Sequence, residues 1–247
     1  VAVVLHGVGS TADFALRCLA KPLTDLGYDV VAPDLRGHAG STPLSDPAAH
    51  SIEGHVADLS ALAARLDVRL VAGISLGGEI ALRWIASGAD VDGAVVCLPG
   101  IAGPTSGPAA ANRATAEELA RRGVGEVLAA MRDAPDALGW VVDEVRASWP
   151  RHDPASLVAA LRAVAECEPI DAVDAARVLV PTGVVVVTDD SGHPADVAER
   201  LVATLPRSAA VRIRLADLAT DRSELGRAGV RALRRAQAEP DPSRADY

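Results

Sequence analysis

Six short runs of mostly aliphatic residues punctuate this chain: Val1–Leu5, Tyr28–Ala32, Leu70–Ile74, Val91–Cys97, Gly183–Thr188 and Ala210–Leu215. Most are apolar throughout instead of alternating with polar residues, the pattern of strands buried on both faces of a parallel sheet. Parallel strands need long crossovers, and the helical patterns Thr11–Leu26, Ile52–Leu66 and Gly78–Ser87 fall between the runs. The expected fold class is therefore α/β: a doubly wound, mostly parallel sheet of about six strands flanked by helices.

The alternation stops after Cys97. From Leu98 to about Ala175 the chain reads as helices without a strand signal. Thr115-Ala116-Glu117-Glu118 has the form of a capping box, and Asp153-Pro154 sets a capping residue before a proline at the first helical position. Pro99, Pro104 and Pro108 make the entry loop, and Pro181 leads back to the sheet. The tail 239–247 is rich in Pro, Asp and Arg and is expected to fray.

Composition narrows the function classes. Aromatic residues are only 2% of the 247, so an aliphatic core is expected. The charge balance is 24 − 33 = −9, with no basic cluster beyond the short Arg231–Arg235 segment, which argues against nucleic-acid binding. No apolar stretch approaches the ~20 residues that span a bilayer, so no membrane partner is expected. Three widely spaced cysteines, Cys18, Cys97 and Cys167, suit a reducing cytoplasm better than a disulfide framework. No signal peptide precedes the first strand; the initiator Met is also absent, which suggests that a stretch before Val1 is missing. Neither a phosphate-binding loop, nor a dinucleotide fingerprint, nor a metal-ligand spacing is found, so no cofactor and no metal are expected.

Gly73-Ile74-Ser75-Leu76-Gly77 fits the G-x-S-x-G pattern, with a strand before it and a helix after it. Such a turn pushes the serine out above the sheet edge, and the flanking glycines allow the tight backbone. At the start of a helix, Ser75 sits where developing negative charge is favoured.

With three more stretches, this motif resembles the α/β-hydrolase family in its capped, bacterial form. Leu5-His6-Gly7-Val8-Gly9-Ser10 resembles the family's His-Gly oxyanion loop. Ala32-Pro33-Asp34-Leu35-Arg36-Gly37-His38-Ala39-Gly40-Ser41 resembles its P-D-x-R-G-x-G-x-S loop, and Asp189-Asp190 follows the strand that presents the triad acid. The resemblance implies a core of residues 1–98 and 176–238, a helical cap of 99–175 inserted after the fourth strand, and a flexible tail, 239–247. It implies that Ser75 is the nucleophile, that the amides of Val8 and Leu76 form an oxyanion hole, and that Asp190 is the acid, with Asp189 the near alternative. His6 and Gly7 would support the oxyanion loop. His38 would help to fix its own loop, where Asp34 and Arg36 read as a local ion pair; His50 and His55 read as solvated, and His152, in the cap linker, as exposed or lining a pocket.

The chain departs from the family in one chemically serious respect. The family's catalytic histidine follows the last strand, where this chain reads Leu215-Ala216-Asp217-Leu218-Ala219-Thr220-Asp221, and no histidine occurs after His193. A serine hydroxyl is a weak nucleophile without a base. His193, three residues beyond Asp190, is either a base at an unusual address or a helix-capping or pocket-lining residue. The triad is thus expected to be incomplete or non-standard. The family's N-terminal hairpin is also missing, leaving a sheet edge that an upstream segment or a second copy of the chain would cover.

Three readings follow: a serine hydrolase of a small ester, thioester or lactone; a non-catalytic small-molecule binding protein; and a non-hydrolytic enzyme on the same scaffold. Trp140 and Trp149 are the only large rings of the cap. Its pocket is therefore expected to be aliphatic, with a small molecule as the partner.

Overall fold

A computed structural model describes residues 1–131 and 139–238, so the expected fraying of 239–247 lies outside the described residues. Strands β1 (Ala2–Leu5), β2 (Val30–Val31), β3 (Leu70–Ile74), β4 (Gly93–Cys97), β5 (Thr182–Val187) and β6 (Ser208–Ile213) form one sheet in the order β2-β1-β3-β4-β5-β6. Every neighbouring pair is parallel. Leu5 lies opposite Gly73, Ile74 opposite Cys97 and Val187 opposite Ile213, so the carboxyl ends of the strands converge at one rim. The strand order reverses between β1 and β3, and open sheets of this kind bind ligands in the crevice at such a point.

Alternate residues of the central strands feed separate cores, which is why most of the runs are apolar throughout. Val3, Leu5, Val71, Val96 and Val184 pack with α2 (Ile52–Ala63), α3 (Leu76–Ala86) and α8 (Ala195–Thr204). Val4, Leu70, Ala72, Val95 and Val185 pack on the other face with α1 (Ala12–Thr24) and α10 (Glu224–Ala238). Each fully buried Val or Leu contributes roughly 1.5–3 kcal/mol. The run Tyr28–Ala32 yields only the two-residue β2, because this is an edge and Pro33 has no N–H to continue the ladder.

Between β4 and β5 lie α4 (Gly107–Ala130), α5 (Gly139–Ser148), a 3₁₀ turn at Trp149–Arg151, α6 (Pro154–Ala165) and α7 (Ala172–Ala175). Asp153 caps α6 as the sequence predicts, accepting from the Ser156 amide at 2.9 Å. The capping box at Thr115 does not open a helix. Ser106 caps α4 upstream, accepting from the Ala109 amide at 3.3 Å, and the alanine-rich turns beyond Pro108 run straight through Thr115. Glu118 instead bonds Arg122 one turn on, at 2.6 Å.

The inserted helices share a small core of Leu119, Val127, Trp149, Leu157 and Leu161, against which Val8 packs. They are also pinned at their far end. Trp140 Nε1 donates to the Leu215 carbonyl at 3.2 Å, Arg222 stacks 4.3 Å over the Trp140 ring, and Glu144 lies between Arg17 and Arg222. Among the described residues no helix is long and apolar enough to cross a membrane, and no cluster of His, Cys, Asp and Glu is arranged to hold a metal. The three cysteines are free.

Candidate active site

Ser75 joins β3 to α3 with φ +53° and ψ −115°, a conformation that strains any residue carrying a Cβ. Hydrogen bonds hold it there. The Ser75 amide donates to the Cys97 carbonyl at 2.9 Å, and its own carbonyl accepts from Gly78 at 2.9 Å and Glu79 at 3.3 Å. The turn is tight enough that a Cβ at Gly73 would lie 2.1 Å from the Gly77 carbonyl oxygen. Ser75 stays half-buried at the rim, with Gly7 of the preceding loop against its side chain.

Beyond β5 the two aspartates separate. Asp189 Oδ1 accepts from the Leu215 amide at 2.7 Å, at the start of α9 (Leu215–Thr220). Asp190 Oδ1 accepts from the Gly192 amide at 2.8 Å, closing a turn that brings the chain back on itself, and its Oδ2 lies 2.7 Å from His193 Nδ1. His193 Nε2 in turn lies 3.0 Å from Ser75 Oγ. Three residues thus span the distance from acid to imidazole, whereas the family's usual ring sits on the loop after the last strand. That loop is occupied by α9, whose first residue is tied to both Asp189 and Trp140.

The charge on Asp190 fixes the tautomer. Burial works to raise its carboxyl, but hydrogen bonds from the His193 ring and the Gly192 amide outweigh it, so the group sits below the usual aspartate value. An ionised carboxylate only accepts, so the His193 hydrogen is on Nδ1, leaving Nε2 to accept from the serine hydroxyl. Gly100 packs on the ring edge, where any Cβ would lie 2.5 Å from His193 Cδ2. Sequence reasoning missed this contact, which depends on the 99–102 loop folding over from β4.

His6 is buried and doubly bonded: Nε2 accepts from the Leu35 amide at 2.9 Å, and Nδ1–H donates to the Gly7 carbonyl at 2.7 Å. It ties the loop of Gly7 and Val8 to the Asp34–Ser41 loop. The amides of Val8 and Leu76 donate to no protein group among the described residues, which leaves both available near Ser75. His38 is buried against His6, at 5.0 Å between ring centres.

Three expectations from the sequence are corrected. His50 and His55 are not solvated: the 42–50 segment that carries His50 folds under α6, and His55 lies on the buried face of α2, leaving the rings 5% and 2% exposed. His152 is buried too, bridging the Ser148 and Ser10 carbonyls at 2.9 and 3.1 Å and so linking the insertion to the core. Asp34 and Arg36 do not form a local pair. Arg36 makes a two-pronged contact with Asp58 at 2.7 and 2.8 Å, while Asp34 accepts from the Ala12 amide at 2.8 Å and caps α1.

These buried rings bear on acid stability. Burial is the main force lowering His6 to about 4, and also His55, where Arg36 adds to it, to about 4. The unfolded chain protonates these groups near pH 6.5 and the native protein does not, so stability falls as pH drops from 6.5 towards 4. Each histidine is expected to remove about 2 kcal/mol between pH 6.5 and 5. Urea midpoints measured across that range check this: an unchanged midpoint would mean that the rings are hydrated.

Two cavities flank the serine turn. The larger, of about 730 Å³, lies between α2–α3 and α4–α6 and borders Leu76. The smaller, of about 270 Å³, has Ser75 itself in its wall and lies between the 99–102 loop, α7 and α8.

A parallel sheet with a strained serine turn at its reversal point, a His-Gly loop on the adjoining strand and helices inserted after β4 defines the α/β-hydrolase fold. Residues 1–211 match the family described as serine aminopeptidase, S33. The chain belongs to that hydrolase family. Among solved structures, MenH from S. aureus is 19% identical with a TM-score of 0.76, over 96% of this chain and 94% of that one. A thermophilic esterase from Thermogutta terrifontis is 22% identical with a TM-score of 0.71, over 95% and 89%. The enol-lactonase from Burkholderia xenovorans LB400 is 18% identical with a TM-score of 0.70, over 88% and 85%. At these identities the likeness is one of fold. No curated protein matches the sequence.

Proposed function

We propose that the protein is a serine hydrolase of a small ester, thioester or lactone, with Ser75 as nucleophile, His193 as general base and Asp190 as the acid that orients it. The observation that carries this reading is the unbroken line from Ser75 Oγ to His193 Nε2 at 3.0 Å and from Nδ1 to Asp190 Oδ2 at 2.7 Å. Family membership and the esterase and lactonase named above add to it.

The reaction follows from the geometry. Ser75 Oγ attacks the carbonyl carbon as its proton moves to His193 Nε2, and Asp190 stabilises the imidazolium. The Val8 and Leu76 amides meet the oxyanion. Collapse expels the alcohol or thiol, which takes the proton from Nε2 and leaves an acyl-serine. Water then attacks, giving its proton to His193. The acid departs as Ser75 recovers its hydrogen. Residues 99–175 act as the cap over this site.

A fluorophosphonate probe tests the reading without knowledge of the substrate. Ser75 is expected to be labelled, with fluoride leaving, and Ser75→Ala is expected to abolish labelling as read by intact mass. A wild-type protein that stays unlabelled from pH 6 to 9 would instead favour the ligand-binding reading.

A further inference from the structure

The two cavities beside the serine turn differ in their relation to Ser75 and in the ionisable groups they carry. The larger borders Leu76 and not Ser75, and His38, His50, His55, Arg83, Arg113 and Glu117 stand among the apolar residues of its wall. The smaller has Ser75 in its wall and is otherwise built mainly from aliphatic groups, including Val96, Ile101, Ile170, Ala175, Val197 and Leu201. Its polar side chains are already engaged. The Glu79 carboxylate accepts from Arg83 Nε at 2.8 Å and from the Ile170 backbone; Arg200 pairs with Asp196; and Thr204 Oγ1 donates to the Arg200 carbonyl at 2.8 Å. A wall of this kind rewards apolar atoms more than polar ones.

We propose that this smaller cavity is the acyl pocket, and that the substrate is an ester or thioester of a medium-chain aliphatic acid whose alkyl tail runs from Ser75 between the 99–102 loop, α7 and α8. This assignment rests on the serine-hydrolase reading and adds to it the acid half of the substrate and its direction of entry, away from the larger cleft under α4 and α6. The size sets a limit. An apolar protein cavity of about 150 Å³ accommodates benzene, a six-carbon ring. A cavity of about 270 Å³ then corresponds to a tail of roughly eight to ten carbons. Short acyl groups leave the wall unfilled, and tails much longer than this meet solvent at the rim, where Pro169, Ala172 and Arg200 are exposed.

The test uses fluorophosphonates bearing ethyl, octyl and hexadecyl chains, each followed by the rate at which mass is added at Ser75. Octyl is expected to react at least about tenfold faster than ethyl, since each buried methylene adds to the binding. Hexadecyl is expected to fall back below octyl. Ala102→Phe, which fills the pocket from the 99–102 loop, is expected to reduce the octyl-to-ethyl ratio by about tenfold, and Leu201→Trp on the opposite wall serves if Ala102→Phe does not fold. Ala163→Phe, in the larger cavity, is expected to leave the ratio where it was. Equal rates at all three lengths, or a ratio that answers to Ala163→Phe and not to the pocket variants, would overturn the assignment while Ser75 remained reactive. No labelling by any probe would remove the hydrolase reading and the pocket with it.

Discussion

Replacing His193 with alanine is expected to lower kcat for an activated ester by roughly 10⁴-fold or more, with little change in KM. The ring touches the reacting hydroxyl and meets the proposed acyl pocket only through Gly100 at its edge, so its loss falls mainly on the chemical step. Asp190→Asn is expected to act through the same ring. An amide can donate to Nδ1 and turn the tautomer over, so that Nε2 carries the hydrogen and no longer accepts from Ser75. Combining His193→Ala with Ser75→Ala is expected to cost little beyond the larger single loss, because the two side chains work as a unit. A merely structural role makes different demands. His193 has 27% of its side chain exposed, so its removal is expected to change stability by less than about 1 kcal/mol. Steady-state kinetics and thermal melts on the same preparations separate the two. A variant that keeps its full rate would eliminate His193 as the base, whatever its distance from Ser75.

What the sequence made legible, and what it did not, divides along the range of the interactions. The strands from Val1 to Leu215 were readable because most of the runs are apolar throughout, a property of consecutive residues. The serine turn was readable for the same reason: Gly73, Ser75 and Gly77 are local, and the strain at Ser75 belongs to five residues. The imidazole was harder. Nothing in the spacing of Asp190 and His193 says that Gly192 will close the turn through Asp190 Oδ1, nor that Gly100 will press the ring towards Ser75 from another strand. The buried histidines failed for a related reason. Nothing local to His50, His55 or His152 says that the ring is buried: His152 reaches the Ser10 carbonyl across the fold, and α6 packs over the 42–50 segment that carries His50. Ser156 stitches that contact, donating to the Gly37 carbonyl at 2.6 Å and accepting from the Leu44 amide at 2.9 Å, both more than a hundred residues away. The capping box at Thr115 shows the converse error, a sound local signal overridden because an earlier cap had already started the helix.

The second large effect concerns the scaffold under the serine. Gly73→Ala is expected to destabilise the protein by about 4–5 kcal/mol, at the severe end of single substitutions. The added Cβ would lie 2.1 Å from the Gly77 oxygen, 2.2 Å from its carbonyl carbon and 2.3 Å from the Gly78 nitrogen. All three are backbone atoms of the first turn of α3, so no rotamer change relieves the overlap. Gly77 itself packs close on β1, where a Cβ would lie 2.4 Å from the Leu5 carbonyl oxygen, which prevents α3 from sliding towards β1. Relief then requires α3 to rise off the sheet, opening the contacts of Ile80 and Leu82 with the core and moving Ser75 away from His193. Gly125→Ala makes the comparison. It lies two residues past the kink that α4 makes at Gly123, without a positive φ, and nothing stands within 4 Å of its Cβ position, so alanine there is expected to be neutral or to stabilise by up to about 0.5 kcal/mol. Urea unfolding of the two variants beside the parent measures both. A Gly73→Ala protein as stable as the Gly125→Ala protein would mean that the turn is looser than its contacts require, and that Ser75 is not held by the close approach of α3 to β3.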